Sequence, residues 1–335
     1  MKHANVAIFV PHKGCRHQCS FCDQKAITGS GSAPSSEEVE TIIQTAILQL
    51  GKRTQNSEIA FFGGSFTAID RSYMLKLLAT ASPYIKNHTF SGIRISTRPD
   101  AITKEILLLL KEYGVSFIEL GAQSMDDEVL QKNHRGHTKS DVIKASNLIK
   151  SFGFSLGLQM MTGLYGSDES KDYHTAEELI QLSPDTVRVY PTIVMEHTLL
   201  EQLYYSKKYT PSSLEETIVL CSRLLTLFDH FSIPVIRLGL QDSSSLRNHM
   251  VAGPWHPALR ELCQSRIFLE KALLQLKKQT DLSKQITIYI HPKSFSQMVG
   301  YKKSNIKQLN DLGYQISIKE DEFIKTNDLR IENCR

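Results

Sequence analysis

Long apolar runs are what this sequence most plainly lacks. The longest, such as residues 106–110, are far too short to span a bilayer, so no membrane partner is expected. The opening Met1-Lys2-His3-Ala4-Asn5 leads directly into a strand-like run, without the apolar stretch of a targeting peptide. No low-complexity segment and no internal repeat beyond a βα period is evident. Charge of either sign is not in large excess: 39 Lys and Arg face 35 Asp and Glu, a net charge of +4. That balance permits an acidic partner such as RNA without requiring one. Cysteine is scarce, six in 335 residues, and without a secretory signal a disulfide framework is disfavoured. A reducing, cytoplasmic location is therefore expected. Apolar content of 41% and charged content of 22% are those of an ordinary globular protein. The length suggests about two domains, although an α/β barrel can occupy most of it alone.

The cysteines that are present are concentrated. Cys15, Cys19 and Cys22 lie within Cys15-Arg16-His17-Gln18-Cys19-Ser20-Phe21-Cys22, spaced C-x₃-C-x₂-C, while Cys221, Cys263 and Cys334 are isolated. Three thiols returned to one point by a polar loop do not read as scattered core residues. Two metal readings remain on spacing alone. A structural zinc site needs a fourth ligand, which His12 or His17 would supply. An iron–sulfur cube held by three thiolates keeps one iron open to an outside ligand.

Strand-like and helix-like segments alternate along the chain. Strands are expected over 6–10, 58–62, 92–96, 117–121, 154–161, 186–194 and 234–240. Helices are expected over 37–50, 73–81, 104–113, 140–152, 170–182, 210–231 and 258–278. Such a run of βα units folds into a parallel sheet or partial barrel. Polar signatures follow the strands: the cysteine loop, Gly63-Gly64-Ser65-Phe66, Ser96-Thr97-Arg98-Pro99 and Gly121-Ala122-Gln123-Ser124. In α/β barrels the C-terminal strand ends build the site. Gly63 and Gly64 allow a ligand to approach backbone. Arg98 and Arg135 offer planar forks for a carboxylate, or make ordinary salt bridges. Ser96 and Gln123 suit ribose hydroxyls, and Gln159 faces either the core or a ligand.

With Phe21 before its last cysteine, the loop resembles the C-x₃-C-x-φ-C motif of the radical S-adenosylmethionine (SAM) superfamily. Several further stretches are similar to the radical SAM core of the Elongator catalytic subunit, over roughly residues 5–265. They are Ser96-Thr97-Arg98-Pro99-Asp100, Phe117-Ile118-Glu119-Leu120-Gly121-Ala122-Gln123-Ser124, Asn133-His134-Arg135-Gly136-His137-Thr138, Val187-Arg188-Val189-Tyr190-Pro191-Thr192 and Arg237-Leu238-Gly239-Leu240-Gln241. The resemblance implies an α/β partial parallel barrel and a 4Fe-4S cluster on Cys15, Cys19 and Cys22. It implies SAM near Phe21, Gly63, Gly64, Ser65, Ser96, Arg98, Gln123, Arg135 and Gln159. It also implies reductive cleavage of SAM to modify RNA, most directly a tRNA nucleoside, with Tyr190 as the candidate catalytic residue. An electron donor such as a ferredoxin or flavodoxin would be needed. Only 57 residues follow Lys278, too few for the acetyltransferase domain of that family, so a separate partner protein is a further expectation. The alternatives are a radical SAM enzyme for a small-molecule or tetrapyrrole-type substrate, and a non-catalytic RNA-binding metalloprotein.

The C-terminal residues read β-α-α-β, with strands over 285–290 and 314–319 and helices over 293–298 and 305–312. The join Val299-Gly300-Tyr301-Lys302-Lys303-Ser304-Asn305-Ile306 resembles the clamp of a KH domain, with Lys303 in place of its second glycine. That implies an RNA contact through Lys293, Gly300, Lys302, Lys303 and Lys307. The expected division is a barrel over 1–240, a helical extension over 241–280 and a KH-like α+β appendage over 281–335.

Overall fold

The computed structural model describes residues 4–10, 18–23, 33–279 and 283–334. Contacts divide the chain into two compact units. The first holds 1–212 with 231–254, and the second holds 213–230 with 255–335.

The first unit is built on a seven-stranded sheet in the order β1-β2-β3-β4-β5-β6-β8, parallel throughout. Its strands are β1 (Ala4–Val10), β2 (Ser57–Gly63), β3 (Gly92–Thr97), β4 (Val115–Gln123), β5 (Ser155–Thr162), β6 (Thr186–Pro191) and β8 (Val235–Leu238). This is the expected partial barrel. The crossover helices are α1 (Ser36–Leu50), α2 (Arg71–Lys86), α3 (Lys104–Glu112), α4 (Asp127–Lys132), α5 (Lys139–Ser151), α6 (Glu169–Gln181) and α7 (Leu199–Tyr205). Each begins where a Ser, Thr or Asp side chain takes up an orphan amide: Ser35, Asp70, Thr103, Asp126, Thr138, Asp168 and Thr198.

Alternation along the strands sorts the two faces of the sheet. Ile8, Ile59, Phe61, Ile93, Ile95, Ile118, Leu120, Leu156, Leu158, Val187 and Val189 lie on one face, with at most 1% exposure. The residues between them are polar, aromatic or small, and they line the other, concave face.

The strand expected over 186–194 is broken. β6 stops at Pro191, whose missing N–H cannot continue the ladder, and Val194–Met195 forms a separate strand β7 against β9 (Met250–Ala252). A short helix α9 (Ser244–His249) precedes β9.

The second unit contains α8 (Leu214–His230), α10 (Leu259–Lys278), β10 (Gln285–Ile290), α11 (Phe295–Val299), α12 (Ser304–Asp311), β11 (Gln315–Glu320) and β12 (Leu329–Asn333). The β-α-α-β order is as expected, with β10 and β11 parallel. β12, absent from the sequence reading, adds antiparallel to β10. Its core joins Phe268, Leu269, Ala272 and Leu276 of α10 to Ile286, Ile288, Ile290, Met298, Leu309, Leu329 and Ile331. The compact units thus part at other points than 240 and 280. α10 supplies one wall of the appendage core, and α8 is tied to α10 by Ser222 Oγ donating to the Cys263 carbonyl at 3.1 Å.

Candidate functional site

The cysteine loop is fastened over the C-terminal ends of the central strands. Ser20 is fully buried. Its amide donates to the Asn133 carbonyl at 3.2 Å, its hydroxyl donates to Asn133 Oδ1 at 2.6 Å, and its carbonyl accepts from the Leu200 amide at 2.8 Å. Asn133 in turn donates to the carbonyls of Val129 (2.8 Å) and Tyr165 (2.9 Å). One buried amide side chain therefore ties the cysteine loop, α4 and the loop after β5 together.

Phe21 packs with Val129, Leu164, Val194, Leu200 and Tyr209, and Cys19 and Cys22 lie against the same cluster, both partly exposed. The Cys22 amide donates to the Cys19 carbonyl at 3.2 Å, closing a tight turn between them. Arg135 Nη1 lies 3.1 Å from Cys19 Sγ, and its Nη2 donates to the Gly121 carbonyl at 2.8 Å. A guanidinium thus sits on one sulfur of the motif. Cys15 lies outside the described residues, as do His12 and His17. Among the described residues no three His, Cys, Asp or Glu side chains converge on a metal-sized site.

Several expected ligand contacts have other work within the chain. Gly63 has φ +113°, and a Cβ there would stand 2.9 Å from the Val10 carbonyl oxygen of β1. Its lack of a side chain is what lets β1 and β2 close at their ends. The Gly64 amide donates to that same Val10 oxygen at 3.0 Å. Ser65 is buried, shares a hydroxyl contact with Thr97 (2.8 Å) and accepts from the Arg98 amide (3.1 Å). The Arg98 fork closes on Asp100, Nε to Oδ1 at 2.9 Å and Nη2 to Oδ2 at 2.7 Å.

Three polar atoms on these strand-end residues are left over. Arg98 Nη1, Gln123 Oε1 and Arg135 Nε are buried without partners, and a buried polar atom left unpaired is costly. Gln123 also carries φ +67° at a register shift between β4 and β5, strain of the kind that gathers at binding sites. Gln159 lies in register with both Gly121 and Arg188, on the concave face. An adenosyl amino acid, with its ribose hydroxyls, carboxylate and amino group, has the complementary donors and acceptors. The residues present fit the cofactor that the cysteine motif implied.

Below the strand ends runs a charge network that the sequence reading did not single out. Arg94 Nε donates to Glu58 at 2.7 Å and its Nη1 to Glu119 Oε1 at 2.8 Å, while its guanidinium stacks 3.4 Å from the centre of the Phe117 ring. Arg188 Nη2 donates to Glu119 Oε1 at 3.0 Å; its Nε lies 2.9 Å from Oε2 but out of hydrogen-bond alignment. Ser96 Oγ reaches Glu119 Oε2 at 3.4 Å. The network crosses β5 at Gly157, where a Cβ would lie 2.9 Å from both Glu119 Cγ and Phe117 Cε1. The available signal was charged residues at alternate, inward positions of otherwise apolar strands: Glu58, Arg94, Glu119 and Arg188.

Tyr190 stands beside the Arg188 cation of this network. Burial pushes its phenol up, against the pull of the Arg188 cation, so the hydroxyl keeps its proton at neutral pH. Beside the site, burial and the Arg135 cation push His137 down to about 4. Its Nε2 faces the Ala122 carbonyl at 3.2 Å, so the proton sits there. Burial raises Asp172 to about 6 against the hydrogen bonds it receives from Ser167 Oγ (2.5 Å) and the Gly163 amide (2.7 Å). Those bonds brace the loop after β5, whose Gly163 carbonyl also accepts from Tyr209 at 2.7 Å.

In the second unit, Lys293, Lys302, Lys303 and Lys307 are all exposed. Gly300, Lys302 and Lys303 adopt positive φ (+80°, +52° and +62°) in the turn before α12. Lys303 therefore holds a left-handed backbone, the conformation that glycine adopts most readily.

Comparison with known proteins bears on both units. A Radical_SAM C-terminal domain profile matches residues 184–268. The tRNA uridine(34) acetyltransferase of Dehalococcoides mccartyi (strain CBDB1) is 27% identical over 62% of this chain and 52% of its own length. That of Methanocaldococcus jannaschii is 30% identical over 65% and 48%, and human Elongator complex protein 3 is 28% identical over 65% and 43%. The chain thus spans about half the length of the curated relatives it matches. A solved structure of the archaeal Methanocaldococcus infernus Elp3 with N-terminus deletion (1-46) superposes with a TM-score of 0.62 at 23% identity, over 81% of this chain and 63% of that one, which shows a shared fold. No helix among the described residues is long and apolar enough to cross a membrane. The Radical SAM superfamily profile itself matches residues 9–179, from the end of β1 through α6, and a match over half of the chain on this parallel half-barrel makes it a member of the Radical SAM superfamily.

Proposed function

We propose that this chain is a radical SAM enzyme that modifies a nucleoside of tRNA. Family membership carries the radical SAM half of that reading. The substrate half is supported by relatives named as tRNA uridine(34) acetyltransferases and Elongator subunits.

Cys15, Cys19 and Cys22 are assigned as the cluster ligands. Arg135 places a positive charge on Cys19 Sγ, which offsets the negative charge of a thiolate-bound cluster. Phe21 would flank the adenine, while Gln123 Oε1 and the spare N–H groups of Arg98 and Arg135 would meet the polar parts of SAM. When bound, the 4Fe-4S cluster and SAM supply an electron and a carbon-centred radical by reductive cleavage of a sulfur–carbon bond. The chain's own residues orient the cofactor, keep water from the concave face and hold the target hydrogen in reach. Tyr190 is the candidate hydrogen donor there. The electron would come from a ferredoxin or flavodoxin, and the transferred group from a second protein or domain.

The C-terminal β-α-α-β segment is assigned to RNA. No side chain caps the first turn of α12, so its amides join Lys302 and Lys303 as phosphate donors. Lys293, Gly300 and Lys307 complete that surface.

Two measurements test the reading. Anaerobically reconstituted protein given SAM and dithionite should release 5′-deoxyadenosine above background; a fully loaded protein that releases none overturns it. A nucleoside should disappear from the total tRNA of a deletion strain; an unchanged nucleoside profile overturns the tRNA assignment. Cys19→Ala should abolish iron binding while Cys221→Ala, a change in the buried face of α8, should not. Equal iron content in the two would contradict the ligand set.

A further inference from the structure

One part of the concave face is neither charged nor consumed by the network below it. Phe9 and Phe62 are register partners on β1 and β2, with ring centres 6.3 Å apart and planes tilted by 45°. Phe9 keeps 37% of its surface exposed although its neighbours Ile8 and Val10 are buried at 0% and 2%. Among the described residues this large ring, near the end of the strand that leads to the cysteines, packs only partly.

Its surroundings select the occupant. The Arg188 guanidinium lies 5.2 Å from the centre of the Phe62 ring. The strands of this sheet bring Arg94 and Arg188 to the concave face against Glu58 and Glu119, and Arg237, in register with Arg188, donates its Nε to the Gly239 carbonyl. An open aromatic pair with a guanidinium over one of its rings suits a flat ring joined to a phosphate.

We propose that Phe9 and Phe62 form the stacking platform for the nucleobase of the RNA substrate, with Phe9 as the contact ring. This rests on the RNA reading above and adds the place where the base sits. A base inside a half-barrel must leave its own stack, and stacking on a protein ring restores part of what it loses.

An adenine is the other flat ring at hand, so the experiment separates the two. An anticodon stem–loop carrying the fluorescent pyrimidine pyrrolocytosine at one loop position at a time is titrated into the full-length reconstituted protein, with anisotropy recording binding. Quenching at one loop position is expected. Phe9→Ala or Phe62→Ala should abolish that quenching and weaken binding about tenfold, whereas Phe9→Trp should retain both. SAM affinity by equilibrium dialysis should stay unchanged in all three. Binding with quenching intact in both alanine variants, or binding with no quenched position, overturns the platform alone. SAM affinity that falls while the RNA signal holds reassigns the rings to the cofactor and overturns it too. Failure of the stem–loop to bind at any position overturns the RNA reading together with it.

Discussion

Two buried titratable residues beside the site pull its stability in opposite directions. His137 is held down to about 4 by burial and then by Arg135, so its neutral form is favoured in the folded chain. Its contribution is full above the ordinary histidine value of about 6.5 and is lost as pH falls towards 4. Asp172 is raised to about 6 by burial, so its protonated form is favoured. Its contribution is full below about 3.8 and is lost as pH rises through 6. Each shift corresponds to roughly 3 kcal/mol, and the two windows overlap. The wild-type chain should therefore show a shallow stability profile between about pH 4 and 6.5. Asp172→Asn keeps the acceptor for the Gly163 amide and should unmask a loss of stability on acidification. His137→Gln keeps a donor to the Ala122 carbonyl and should unmask a gain. Denaturant midpoints across that range give the answer, and parallel profiles in the two variants would refute the opposition.

At the scale of the strand, β5 is shaped by what passes over it. Glu119 and Arg188 join across Gly157, where an added methyl would lie 2.9 Å from Glu119 Cγ and from the Phe117 ring. Gly157→Ala should cost about 1–3 kcal/mol by overpacking, read as a lowered denaturation midpoint. An unchanged midpoint would mean the network is free to shift. The same strand shows what a one-dimensional reading can reach. The βα order and all seven strands of the parallel sheet were legible, because each depends on local periodicity and turn chemistry. β12 was not, since Leu329–Asn333 pairs with β10 some forty residues earlier in the chain. Nor was the role of Gly157, because the side chains it makes room for, Glu119 and Phe117, come from another strand. The engagement of Gly64 and Ser65 within the chain depends likewise on contacts across neighbouring strand ends.

Over the whole molecule, a net charge of only +4 gives a weak overall attraction to a polyanion, so affinity for the proposed RNA substrate would have to come from local concentrations of charge. The turn before α12 offers one, and its backbone allows charge to be separated from shape. Lys303 sits at φ +62°, ψ +29°, a left-handed conformation that costs a side-chain-bearing residue about 1 kcal/mol relative to glycine. Lys303→Gly should therefore raise the stability of the folded chain by about that amount while removing the proposed phosphate contact. Lys303→Ala removes the same contact and keeps the strain. If charge governs the interaction, both variants bind tRNA more weakly, and the slope of log affinity against log salt falls by about 0.7 in each, although their stabilities differ. If close backbone approach governs it instead, Lys303→Gly binds more tightly than wild type and Lys303→Ala does not. Salt titrations of the two variants, set beside their denaturation midpoints, decide whether the lysine at the clamp's second glycine position is a substitute for backbone contact or an obstacle to it.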